Sequence, residues 1–171
     1  MDTVQFTQKR DGSRAEYEML HELERQYIAA LPQRIIEGRQ AGAKVCVVDT
    51  RLSNTASMAD WWLAPWPGTE AAMLLAMCHV LLREGTWDRD FVRRWVNWEE
   101  YLREERLGDP VTFEAFEAAL VGLYAAYTPE FAERESGVPA ARIEEVAREI
   151  GRAGGAVSTH VWRNAAAGNL W

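Results

Sequence analysis

The stretch from Val47 to Glu70 contains two groups of polar residues whose types and spacing could bind a ligand. Asp49 comes directly after the apolar run "KVCVV", and Arg51 follows it closely. At the carboxyl end of a strand, a carboxylate can accept two hydrogen bonds from ribose hydroxyls or guanine nitrogens, and a neighbouring arginine can bind phosphate bidentately. The alternative is that Asp49 only opens a turn, where Asp is common, and that Arg51 is a solvated surface charge.

The second group is the turn Pro67-Gly68-Thr69-Glu70, which opens an apolar helix pattern. The free N–H groups and the positive dipole end of a helix start favour an anion or a purine edge. Glu70 could accept hydrogen bonds from guanine N1–H and N2–H₂ together. The alternative is a first-turn acid that only complements the helix dipole, which contributes about 0.3–1 kcal/mol.

The histidines offer weaker candidates for chemistry. His21 and His79 fall in predicted helices, and we expect them at the surface and in the core, respectively, because neither has a second ligand one helical turn away. His160 lies where a strand passes into a loop, with Asn164 close behind, although a packed strand histidine is the default interpretation.

Several familiar catalytic motifs are missing from the sequence. It contains no G-x-S-x-G, no P-loop, no H-E-x-x-H and no G-x-G-x-x-G. A self-contained hydrolase, kinase or zinc enzyme is therefore unsupported, and the missing glycine fingerprint weakens a nicotinamide-binding domain.

Composition limits the remaining classes. The 171 residues, 48% of them hydrophobic and eight of them Trp, are typical of a folded globular chain, and a formal charge of −7 without a basic patch argues against nucleic acid as a partner.

Cys46 and Cys78 cannot form a disulfide framework or a cysteine-rich cluster site, so we expect buried reduced thiols. No run reaches the roughly 18 apolar residues of a membrane span, so we expect no direct membrane insertion. The cellular compartment is left open.

The elements that must position the polar residues follow from periodicity. Ser13 begins a capping box, which predicts a helix from near Arg14, with a break at Pro32 and a second helical piece to Gly38. "KVCVVD" predicts a buried strand, "WWLAP" a second short strand, and "EAAMLLAMCHVLLREG" a helix that ends at Gly85. This order predicts an α/β fold, Rossmann-like, with a small parallel sheet.

The rest of the chain reads as a helical excursion. "WDRDFVRRWV" and "WEEYLREER" predict two short amphipathic helices, Pro139 begins another helix, and "GGAVSTHVW" after Gly154 predicts a further short strand. Two helical stripes predict core positions, namely Phe113, Phe116, Leu120, Leu123, Tyr124 and Tyr127, and Ile143, Val146, Ala147 and Ile150.

The stretch "GAKVCVVDTRLSNTASMADWWLAPWPGTEAAMLLAM" resembles the third-domain segment of the molybdopterin guanine dinucleotide-dependent oxidoreductases, the dimethyl sulfoxide reductase family. Members usually have "G-A-K-x-x-V-x-D-P-R", then "T-A-x-x-A-D", then "P-G-T-D". "YTPEFAERESGVPAARIEEVAREI" and "THVWRNAAAGNLW" are similar to later passages of the same family. The resemblance divides the chain into an unmatched N-terminal helical segment, 1–31, and a middle-domain segment of such an enzyme, 32–171.

The resemblance implies cofactor-binding roles at matching positions. A guanosine and its phosphates would be held by Asp49, Thr50 and Arg51. The guanine edge would be bound by Gly68, Thr69 and Glu70. The pterin and molybdenum face would lie near His160 and Asn164. Thr50 stands where the family usually has Pro, and Glu70 stands where Asp is usual. The longer Glu70 side chain must reach the guanine from a more distant or rotated backbone.

The resemblance also implies a function for the chain as part of a larger multidomain enzyme. It would be part of a molybdenum-dependent oxidoreductase. The iron–sulfur cluster and the molybdenum-ligating regions of that enzyme would lie in parts missing from this sequence. We therefore expect no catalytic turnover from this chain alone. The implied partners are the rest of the catalytic subunit or a separately encoded complement, with possible electron-transfer subunits. The alternative is a noncatalytic truncated or partner-docking domain, which the Trp-rich apolar helices favour.

Overall fold

The computed structural model describes residues 33–159, which belong to two compact units with their boundary between Val45 and Cys46. In the first unit, residues 33–40 form a helix, α1, which ends in a turn with Gly42 at φ 97°. The predicted stop in "AGAK" is confirmed. The predicted helix start near Arg14 and the break at Pro32 lie outside the described residues.

The second unit begins with two parallel strands, β1 (Cys46–Val48) and β2 (Trp61–Leu63), joined through a 3₁₀ turn at Ala56–Met58. Cys46 lies opposite Trp61 and Val48 opposite Leu63. The Asp49 N–H extends the ladder by donating to the Leu63 carbonyl at 3.1 Å. The predicted mixed α/β class with a small parallel sheet is thus found in the described part of the chain.

The environment of β1 differs from the prediction. The strand was predicted to be buried, but Cys46 is exposed and Val48 is 44% exposed. The physical reason is that β1 packs mainly on β2 and the 3₁₀ turn, rather than between two layers of helices. The prediction of a buried thiol is therefore wrong for Cys46, and Cys78 is only half-buried.

Six helices follow β2 in the described residues, and several predicted boundaries are confirmed. The left-handed Gly85 (φ 65°) ends the first of them, as the sequence predicted. Pro129 occupies the first turn of a later helix, where its missing N–H costs nothing. The helices are α2 (Glu70–Glu84), α3 (Arg89–Trp95), α4 (Trp98–Glu105), α5 (Phe113–Tyr124), α6 (Pro129–Ser136) and α7 (Ala140–Ala153).

The main core lies where α2 packs against α6 and α7, and α2 also packs against α5. The predicted apolar face of α7 is confirmed, since Ile143, Val146 and Ala147 are buried and Ile150 packs against them. Strand β2 contributes Leu63 to this core, so the sheet is attached to the helices through its second strand. The buried cluster contains Leu63, Met73, Ala76, Met77, Val80, Ala132, Val138, Ile143, Val146 and Ala147.

A second, aromatic cluster joins α4 and α5. Phe113, Phe116 and Leu102 are buried, and the Trp98 ring meets the Phe113 ring edge-on at 5.5 Å between centroids. The predicted stripe of α5 is wrong at Leu123, which is 53% exposed.

The segment after α7 is neither helix nor strand. Gly154 ends the helix with φ 53° and ψ −123°, and residues 156–159 form no ladder. The strand predicted for "GGAVSTHVW" is therefore wrong in its described part, and its remainder from His160 onward lies outside the described residues. Between residues 33 and 159, no helix is long and apolar enough to cross a membrane.

Candidate functional site

Both candidate turns follow the carboxyl ends of neighbouring parallel strands. Asp49 directly follows β1, and the segment from Ala64 to Thr69 leads from the end of β2 into α2. Because parallel strands end at the same edge of a sheet, the two turns start from one edge. In open α/β sheets, this edge is where ligands bind.

The Asp49 turn is built by hydrogen bonds close to the strand end. The Asp49 Oδ1 accepts from the Arg51 N–H at 3.0 Å, and the Asp49 carbonyl accepts from the Trp62 indole Nε1–H at 2.8 Å. The Arg51 backbone N–H lowers the pKa of the Asp49 carboxyl, with help from the Ser53 hydroxyl and the Arg51 charge and against partial desolvation. The carboxylate is thus held in its ionised form, which accepts hydrogen bonds and donates none.

Thr50 and Arg51 are exposed at this turn. Among residues 33–159, no hydrogen bond engages the Arg51 guanidinium. The chain then continues through Ser53, whose Oγ accepts from the Ala56 N–H at 3.3 Å and so leads into the 3₁₀ turn. Arg51 can therefore approach a bound anion without breaking a side-chain hydrogen bond in the described part of the chain.

The second turn depends on glycine and on one backbone carbonyl. Gly68 has φ 86°, a conformation that other residues rarely adopt. The Trp66 carbonyl accepts from both the Thr69 N–H and the Thr69 Oγ1, at 3.1 Å and 2.6 Å. Thr69 thus directs its hydroxyl back to the turn, so the side chain of this N-cap residue does not cap the first turn of α2.

Glu70 is the first residue of α2 and is half-buried. In the described part of the chain its carboxylate has no hydrogen bond and no ion pair. By contrast, Thr112 and Thr128 accept hydrogen bonds from the first turns of α5 and α6. The uncapped start of α2 therefore combines backbone donors with an acceptor carboxylate, a set that suits a guanine edge.

The sequence did not indicate which residues hold these turns in place. Trp62 binds the Asp49 carbonyl, and the Trp66 N–H donates to the Ser136 carbonyl at 2.9 Å. The tryptophans next to the two turns were visible in the sequence. Their partners were not, because a bond to a distant backbone carbonyl leaves no local pattern.

The other candidates contribute less. His160 and Asn164 lie outside the described residues. His79 is half-buried rather than fully in the core, and its Nδ1 lies 2.9 Å from the Tyr124 carbonyl. Since a carbonyl only accepts, Nδ1 carries the proton and the contact is structural. No group of three or more His, Cys, Asp or Glu that could hold a metal ion occurs between residues 33 and 159.

Comparison with known proteins identifies relatives of this chain. It is 32% identical over 126 residues to the F420-dependent formate dehydrogenase 1 subunit alpha of Methanococcus maripaludis, which covers 74% of this chain and 16% of that protein. It is 35% identical over 131 residues to the arsenate respiratory reductase molybdopterin-containing subunit ArrA of Shewanella sp. (strain ANA-3), over 72% of this chain and 15% of that subunit. The chain is homologous to molybdopterin oxidoreductase catalytic subunits.

The fold comparison agrees with this family. Acetylene hydratase from Pelobacter acetylenicus superposes with a TM-score of 0.54 and 27% identity, over 70% of this chain and 14% of that chain. The predicted resemblance to the dimethyl sulfoxide reductase family is thus confirmed. No family model matches the sequence. This molybdopterin oxidoreductase segment spans about one sixth of the length of the curated relatives it matches.

Proposed function

We propose that this chain binds the guanosine end of a molybdopterin guanine dinucleotide as part of a molybdenum-dependent oxidoreductase. On this proposal, β1 and β2 belong to a Rossmann-like sheet, and both turns at its edge bind one nucleotide. Asp49 accepts from the ribose hydroxyls, Arg51 binds phosphate, and Glu70 accepts from the guanine edge.

The observation that carries the proposal is the pair of turns at one sheet edge. One turn presents an ionised carboxylate, whose pKa is held low by the Arg51 N–H. The other presents the uncapped start of α2 with Glu70, whose carboxylate has no partner among residues 33–159. A nucleotide requires acceptors for its hydroxyls and base N–H groups and donors for its phosphates, and these two turns offer both.

The names of the relatives support a role in binding the cofactor rather than in selecting the substrate. They describe a formate dehydrogenase, an arsenate reductase and a hydratase, which differ in substrate and in type of reaction. A segment similar to all three is better suited to binding the molybdopterin, which the arsenate reductase subunit's name includes, than to choosing a substrate.

When bound, the cofactor would supply two-electron chemistry at molybdenum. This chain's own residues would bind and orient the far end of that cofactor. Thr50 adds a hydroxyl to the Asp49 turn, while Gly68 and Thr69 shape the turn that presents Glu70. The remaining candidates, His160 and Asn164, would face the pterin and the metal. An iron–sulfur cluster would belong to other regions of such an enzyme.

Nucleotide binding tests the proposal directly. We expect the chain to bind guanosine diphosphate (GDP) more tightly than adenosine diphosphate (ADP), measured by isothermal titration. Glu70→Gln should weaken GDP binding about tenfold, because the amide presents one acceptor and a competing donor to guanine. Glu114→Gln is the matched control, since it removes the same charge from the first turn of α5.

Two results would contradict the proposal. One is equal affinity of the wild-type chain for GDP and ADP. The other is an equal loss of GDP affinity in Glu70→Gln and Glu114→Gln, which would attribute the effect to net charge rather than to guanine recognition.

We further propose that the 171 residues alone have no turnover and act with the rest of a catalytic subunit or a separately encoded complement, which can include electron-transfer subunits. The relatives are roughly six times longer than the matched segment, which supports this view. Acceptor-dependent oxidoreductase activity of the purified chain, without a second polypeptide, would contradict it.

A noncatalytic partner-docking domain is the second candidate. The exposed apolar side chains favour it, since Trp66 and Phe91 are each 58% exposed and Trp95 is 76% exposed. Gel filtration at several concentrations separates the candidates when combined with the titration. Self-association without GDP binding favours docking alone, whereas specific GDP binding favours the cofactor role.

A further inference from the structure

Gly137, which follows α6, lies directly against the indole ring of Trp66. It adopts φ 75° as the C-cap of α6 and donates its N–H to the Glu133 carbonyl at 2.8 Å. A Cβ at this position would lie 2.9 Å from Trp66 Cε2 and 3.0 Å from Trp66 Nε1. Because these distances are too short for a carbon atom, any side chain at position 137 would require the Trp66 indole ring to shift.

Trp66 connects this corner to the second candidate turn. The backbone N–H of Trp66 donates to the Ser136 carbonyl at 2.9 Å. The backbone carbonyl of Trp66 accepts from both the N–H and the Oγ1 of Thr69. Thr69 directly precedes Glu70. A shift of the indole ring that is transmitted to the Trp66 backbone would therefore move the turn that presents the Glu70 carboxylate.

The α6 end of this connection is rigidly held. Ser136 is fully buried, its Oγ donates to the Ala132 carbonyl at 2.6 Å, and the same Oγ accepts from the Val138 N–H at 3.2 Å. Ala132 and Val138 both belong to the main core. The Ser136 carbonyl is thus a fixed point against which Trp66 is aligned.

We propose that Gly137 is a positioning residue for the turn Gly68–Glu70, because its missing side chain lets Trp66 hold the turn against α6. The consequence for nucleotide binding rests on the proposed function. The consequence for the backbone of the turn does not. The two can therefore be measured separately.

The test compares Gly137→Ala with Gly85→Ala in the full 171-residue chain. Gly85 is also a left-handed helix C-cap, with φ 65°, but a Cβ there would meet nothing within 4 Å. Both substitutions introduce similar backbone strain. The difference between the two variants isolates the contact with Trp66.

Amide hydrogen exchange without ligand is the first measurement. We expect Gly137→Ala to speed exchange of residues 67–72 about tenfold relative to Gly85→Ala, which corresponds to about 1.4 kcal/mol of local opening free energy. In a Trp66→Ala background, Gly137→Ala should have no more effect than Gly85→Ala, because the ring it collides with is gone. This rescue also keeps the test decisive if Gly137→Ala alone folds poorly.

GDP titration is the second measurement, with about tenfold weaker binding expected for Gly137→Ala than for Gly85→Ala. Equal exchange rates in the two glycine variants, or no rescue in the Trp66→Ala background, would overturn the positioning role. If the wild-type chain fails to bind GDP, the proposed function fails, and the exchange data still decide the role of Gly137.

Discussion

The two turns at the sheet edge are held in different ways. The Asp49 turn depends on hydrogen bonds from its neighbour Arg51 and from Trp62 on the adjacent strand. The Gly68–Glu70 turn is attached through Trp66 to the buried end of α6, far along the chain. The first turn is therefore held by hydrogen bonds within the sheet and its own loop, and the second by packing against a helix, so that substitutions should affect them differently.

The largest expected effect lies under the second turn. Met73, in the first part of α2, is fully buried, whereas its neighbour Leu74 is 54% exposed. Met73→Ala should lower the free energy of unfolding by about 2–5 kcal/mol, because it leaves a cavity in the main core. Leu74→Ala should change it by only about 0.5 kcal/mol. Urea unfolding measures both values, and similar losses would show that α2 is not anchored as described.

The sequence allowed the elements around both turns to be predicted, for reasons visible in particular residues. "WWL" and "KVCVV" indicate strands through their bulky apolar side chains, and Gly85 indicates the end of α2. Exposure of Cys46 was not predictable, because an apolar run does not reveal how many layers cover it. Neither was the contact between Trp66 and Gly137, because it depends on how α6 packs.

The two threonines that precede α2 and α6 offer a sharper comparison. Thr128 caps α6 by accepting from the Phe131 N–H, whereas Thr69 donates to the Trp66 carbonyl. Thr128→Ala should lower the free energy of unfolding by about 1 kcal/mol and leave GDP affinity unchanged. Thr69→Ala should weaken GDP binding about threefold to tenfold, because the turn loses one of its hydrogen bonds.

Thermal unfolding measures the stability of the two threonine variants, and GDP titration measures their affinity for the nucleotide. If Thr128→Ala weakens GDP binding as much as Thr69→Ala does, the second turn has no special role in binding.

The smallest expected effect concerns the Asp49 turn and its pH dependence. The Arg51 backbone N–H lowers the pKa of the Asp49 carboxyl below its ordinary value of about 3.9. A lowered carboxyl pKa contributes stability above the unfolded-state pKa, and this contribution is lost as pH falls through the folded-state pKa. The wild-type chain should thus be slightly more stable than Asp49→Asn at pH 7, and the difference should disappear as the pH falls through the lowered pKa of the Asp49 carboxyl.

Urea unfolding of the wild-type chain and Asp49→Asn, from pH 7 into acidic solution, measures the difference. A stability difference that grows as the solution becomes more acidic would show that the ionised carboxylate does not stabilise the turn.

A crystal structure of the chain with GDP tests most directly whether both turns bind one nucleotide. We expect the guanine N1–H and N2–H₂ to lie about 3 Å from the Glu70 carboxylate, with the ribose hydroxyls at a similar distance from the Asp49 carboxylate. A nucleotide that contacts only one of these residues, or neither, would contradict the account.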